Sequence, residues 1–70
     1  MPERWPVVIT DSDGDWILVD PDYPRGEPGR IFINTSPAGV ALSAAQREEL
    51  ARAIVAASHE ADHQARPVPP

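Results

Sequence analysis

The stretch best equipped for chemistry is His59-Glu60-Ala61-Asp62-His63. Two histidines four residues apart on a helix project from one face. They can hold a zinc ion between their imidazoles while the adjacent glutamate serves as general base toward metal-bound water. A hydrolytic zinc needs a third protein ligand. Beyond His63 the chain has no His, Asp or Glu, so an upstream acid, Asp20 or Asp22, would have to fold back. Helical phase places His59 and His63 opposite Leu50 and Ile54 and in line with Glu48 and Arg52, on the side expected to face water. Imidazoles near a helix C-terminus also have an ordinary electrostatic reason to be there, because the macrodipole favours positive charge at that end. On the residues alone, this string is expected to be a solvated helix face, with no catalytic residue and no bound metal.

Over those five residues the string is similar to the zincin metalloproteases, which would imply a zinc-dependent hydrolase with His59 and His63 as ligands and Glu60 as base. A zincin holds its zinc in a cleft between subdomains, and 70 residues leave no room for one. The second tempting cluster is Asp11-Ser12-Asp13-Gly14-Asp15, whose alternating acids open like a calcium loop. Counted from Asp11, the sixth position of such a loop requires glycine, and Trp16 stands there. Asp and Gly are also what a tight β-turn selects, so a turn is expected.

Weaker signals have structural readings. Asn34-Thr35-Ser36 is a glycosylation sequon without a secretory leader, which reads as the end of a strand. Ser12, Ser36, Ser43 and Ser58 have no His and acid at triad spacing. Ser43 is better explained as a helix cap. Arg25 and Arg30 flank Gly26, Pro28 and Gly29, a combination that balances surface charge more readily than it binds an anion.

The elements that position these residues follow from local pattern. Trp5 to Thr10 is rich in β-branched residues and predicts a strand, and Trp16 to Asp20 predicts its return after the Asp11–Asp15 turn. Pro21 to Gly29 is a loop, since proline denies a ladder its donors. Arg30 to Asn34 predicts a third strand, Thr35 to Gly39 a turn, and Val40-Ala41-Leu42 either a short fourth strand or an extended lead-in. Ser43-Ala44-Ala45-Gln46 is a capping box that starts a helix, with Leu50, Ile54, Ala57 and Ala61 as its apolar stripe. The helix is expected to end between His59 and Gln64. The fold class is thus α+β: a three- or four-stranded antiparallel sheet, opened by an N-terminal hairpin, with one C-terminal amphipathic helix on one face. One domain over 1–64 and a disordered, proline-rich tail over 65–70 complete the expected organisation.

Composition narrows the function classes. The 70 residues carry eleven acids and six basic residues, all Arg, for a net charge of −5. That balance argues against direct contact with nucleic-acid phosphates, which needs clustered positive charge. Without cysteine there is no disulfide and no thiolate zinc site, and no run resembles a signal peptide or membrane span. The expected location is the cytoplasm and no cofactor is expected.

The informative pattern lies in the strands. With a five-residue turn, Trp5, Val7, Ile9, Ile17 and Val19 share one face, and Val8, Trp16 and Leu18 share the other. Ile31 and Ile33 point one way along the third strand and Phe32 points oppositely. Both faces are apolar, whereas a sheet with one wet face alternates apolar with polar. One helix covers one face, so the other is expected to meet a partner, a second copy or another protein. The expected interface residues are Trp5, Val8, Trp16, Leu18, Phe32 and Tyr23. The leading reading is a non-enzymatic interaction module, homodimeric or docked on another protein. Its rivals are the zinc hydrolase and an acidic DNA mimic presenting Asp11, Asp13, Asp15, Asp20, Asp22 and Glu27 to a DNA-binding protein.

Overall fold

The computed structural model of the chain describes residues 5–21 and 29–65. Three strands, β1 (Val7–Thr10), β2 (Trp16–Asp20) and β3 (Phe32–Thr35), are followed by one helix, α1 (Ala44–Ala65). The strands form an antiparallel sheet in the order β1-β2-β3. The architecture is α+β, as the residue pattern indicates.

The hairpin forms because Asp11-Ser12-Asp13-Gly14 has the residues its turn requires. The Asp11 N–H donates to the Asp15 carbonyl at 2.8 Å, and the Gly14 N–H donates to the Asp11 carbonyl at 3.2 Å. Gly14 sits at φ +87°, a conformation that costs any residue with a Cβ. This turn fixes the register Val7↔Val19, Val8↔Leu18, Ile9↔Ile17 and Thr10↔Trp16. The third strand adds Ile17↔Thr35, Leu18↔Asn34, Val19↔Ile33 and Asp20↔Phe32. It starts two residues later than the pattern suggests and includes Thr35. Ser36-Pro37-Ala38-Gly39 then turns the chain: the Gly39 N–H donates to the Ser36 carbonyl at 2.9 Å, with Gly39 at φ +83°. Ser, Pro and Gly occupy the first, second and fourth positions, where a type I turn favours them.

Val40-Ala41-Leu42 is a lead-in and not a fourth strand. The Ala41 N–H is taken by the Asp11 side chain at 3.0 Å instead of a ladder partner. The capping box closes as expected. The Gln46 N–H donates to Ser43 Oγ at 3.2 Å, and the Ser43 N–H donates to Gln46 Oε1 at 3.1 Å. The helix reaches Ala65, one residue into the segment expected to be a tail, and 66–70 lie outside the described residues. No helix among the described residues is long and apolar enough to cross a membrane.

The core lies between α1 and one face of the sheet. Ile9, Ile17 and Val19 are buried from the strands, and Ala53, Ala57 and Ala61 from the helix. Ala57 and Ala61 belong to the expected stripe; its other two members, Leu50 and Ile54, flank the core half-buried with Trp5, Val7 and Ile31. Ala53, which the stripe omits, is buried with Ala57 and Ala61, and the small side chains let the helix backbone lie near the sheet. The helix packs on β1 and β2 and makes no packing contact with β3. Ile33 therefore stays 45% exposed although it points to the helix side.

Candidate interaction face

The sheet face opposite α1 is set by strand parity. Directly paired residues point the same way, so Val8, Leu18 and Asn34 form one row, Thr10 and Trp16 a second, and Asp20 and Phe32 a third. Leu18 is central, between Val8 and Asn34. Val8 is 49% exposed, while Trp16, Leu18 and Phe32 are half-buried among their neighbours. Thr10, Asn34 and Asp20 supply polar groups around the apolar centre. No other helix or strand among the described residues packs on this face. An apolar centre with a polar rim is the composition of a protein-binding patch.

Of the residues singled out from the sequence, Val8, Trp16, Leu18 and Phe32 are thus brought together. Trp5 is not with them: it lies on the helix side, half-buried against the core. Tyr23 falls within 22–28, outside the described residues, as do Asp22, Arg25 and Glu27.

The aspartate turn is a structural hub. Asp11 Oδ1 accepts from the N–H groups of Asp13 at 2.8 Å and Asp15 at 3.0 Å, while Oδ2 accepts from Ala41. The Ala41 hydrogen bond is the main reason the Asp11 pKa lies below the ordinary aspartate value; the Asp13, Asp15 and Gly14 amides add to it and partial burial opposes it. Asp15 Oδ1 accepts from the Ser36 hydroxyl at 3.0 Å, and the same Oγ accepts from the Trp16 N–H at 3.2 Å. Ser36 is buried, and its role as a tie was not legible in the sequence because its partners lie 20 and 21 residues away. Gln46 also does more than cap: its Nε2 donates to the Thr10 carbonyl at 2.9 Å, which ties the start of α1 to the end of β1. The carboxylates of Asp11 and Asp15 are thus engaged inside the turn and its connections rather than arranged around a cation.

His59 and His63 are exposed on α1, and Glu60 is half-buried with its Oε2 accepting from Gln64 Nε2 at 3.4 Å. Among the described residues no three His, Asp or Glu side chains come together in a way that could hold a metal ion. Ala51, Val55 and Ala56 make a shallow apolar patch beside His59, with Val55 55% exposed. This outer surface of α1 was not anticipated, because a single exposed valine leaves no periodic signal.

No protein-family model, curated protein or solved structure matches the chain.

Proposed function

We propose that the chain is a non-enzymatic, cytoplasmic protein-interaction module, a small regulator, inhibitor or assembly factor, that engages another protein or a second copy of itself through the sheet face opposite α1. The observation that carries this reading is that Val8, Trp16, Leu18 and Phe32 share that face while the only helix among the described residues lies on the other side. A chain of this size buries little surface by itself, and an apolar face that finds a partner adds burial it lacks. Trp16, on the central strand of the sheet, is of the residue type that most often anchors an interface.

The test is site-specific photocrosslinking in the cells that make the protein. A benzophenone side chain placed at Leu18 is expected to give an adduct of discrete mass, and the same group at exposed Asp62, near the C-terminal end of α1, is expected to give none. Equal labelling from both positions, or none from Leu18, would refute the reading.

A further inference from the structure

We infer that β1 is a docking edge for a second copy of this chain, joining two sheets into one of six strands. The inference goes beyond the face described above, because edge pairing leaves that face open and doubles it.

The hydrogen-bond directions select the edge and its register. The Trp16 N–H and C=O are both engaged with Ser36, so Trp16, Leu18 and Asp20 turn their backbone groups toward β3. Ile17 and Val19 therefore face β1 and bond with Ile9 and Val7. The backbone groups of Val8 and Thr10 point the other way, to the outer edge. The Thr10 carbonyl confirms the alternation, since it accepts from Gln46 on that side. Carried two residues back from Val8, to the residue just before the strand, the alternation turns Pro6 outward too, with a carbonyl to offer and no N–H.

An antiparallel two-fold pairing centred on Val8 uses this edge completely. Val8 of each copy donates to and accepts from Val8 of the other. The same register sets Thr10 opposite Pro6 of the second copy. The Thr10 N–H donates to the Pro6 carbonyl, and Pro6 has no N–H to return. The acceptor it would leave unmatched is the Thr10 carbonyl, which Gln46 already fills. The half-exposed Val8 side chains then meet each other across the axis.

The helices agree with that axis. Trp5 and Val7 of the strand side and Glu49, Arg52, Ala53 and Ala56 of α1 line a groove of about 240 Å³ along this edge. Gln46 reaches Thr10. From Thr10 to Val8 the strand rises about 6.6 Å, which is about 4.4 residues of helix, so the axis at Val8 is level with a point about midway between Glu49 and Arg52. A two-fold axis there sets Glu49 of one copy against Arg52 of the other, twice, as an isologous interface requires. The charges are self-complementary despite the net charge of −5. Because α1 packs on β1 and β2 and not β3, the two helices approach as neighbours on one side of the joined sheet.

The experiment is sedimentation equilibrium on the full chain across micromolar concentrations. The expected mass is twice the 7.6 kDa of one chain. N-methylation of the Val8 amide by total synthesis, which leaves every bond to β2 intact, is expected to weaken the dimer more than about tenfold. Arg52→Glu and Glu49→Arg are each expected to weaken it, and the double exchange to restore it; helical circular dichroism verifies that each variant folds. A monomer at every concentration overturns the inference. So does a dimer indifferent to the Val8 amide. A dimer lost in Leu18→Asp but kept with N-methyl Val8 also overturns it, and assigns self-association to the open face instead.

Discussion

Replacing Ser36 with alanine should be the most damaging small change in the turn region. One oxygen accepts the Trp16 N–H and lies 3.0 Å from Asp15 Oδ1 and 3.1 Å from the Gly39 carbonyl. It has a single proton for those two acceptors, and the charged carboxylate makes the stronger bond. Ser36 is 5% exposed, and no buried side-chain polar atom among the described residues lacks a partner. Ser36→Ala removes that order at one stroke. The Trp16 N–H loses its acceptor in a half-buried position, which costs about 1–3 kcal/mol, and water reaching Asp15 offsets part of the rest. We take about 2 kcal/mol, against a total of about 4–10 kcal/mol for a domain of this length. At about 4–8 °C per kcal/mol, melting should fall by about 8–16 °C. Thermal denaturation followed by far-ultraviolet circular dichroism measures this, with exposed Ser12→Ala as the comparison. A Ser36→Ala melting temperature within about 2 °C of the parent would show that the hydroxyl does not hold the turn to β3.

Two further perturbations address the hub and the core. Asp11 is held below the ordinary aspartate pKa chiefly by the Ala41 N–H, so its folded value lies below its unfolded value. Its contribution is therefore complete above the unfolded value near 3.9 and disappears as pH falls through the folded value. Asp11→Asn should be less stable than the parent at pH 7 and should flatten the loss of stability below about pH 4; urea titrations at a series of pH values report both, and an unchanged acid limb would remove Asp11 from the account. Ala57 has no exposed surface where α1 meets the sheet. Ala57→Leu should overpack that contact and cost about 1–3 kcal/mol in urea denaturation, and a neutral or stabilising result would mean that the helix does not lie as close as described.

Features carried by local period or local chemistry were readable from the residues. The Asp-Gly turn sets the hairpin, the alternation of Val7 to Thr10 and Trp16 to Asp20 sets the two faces, and Ser43 with Gln46 sets the helix start. Ties between a side chain and a distant backbone group were not. Asp11 with Ala41, Ser36 with Trp16, and Gln46 with Thr10 span 20 to 36 residues and have no repeat or motif. The first of these is why Val40 to Leu42 does not join the sheet. Helical phase marked the apolar side and its buried Ala57 and Ala61, but it counted Leu50 and Ile54, which are only half-buried, and passed over Ala53, because close helix–sheet approach selects small residues that hydrophobicity ranks low. At the candidate face, Val8, Trp16, Leu18 and Phe32 follow from parity alone. Trp5 belongs by the same parity to the helix side, where the structure places it.

The accessibility of the second sheet face can be measured on individual methyl groups. A soluble gadolinium chelate added to a dilute, methyl-labelled sample broadens resonances that water can reach. The expected result is strong broadening of the Val8 and Leu18 methyls while Val19 and Ile9 stay sharp, with the Leu18 signals regaining protection only when a partner or a higher protein concentration covers them. Leu18 methyls as shielded as those of Val19 in the isolated monomer would contradict the account.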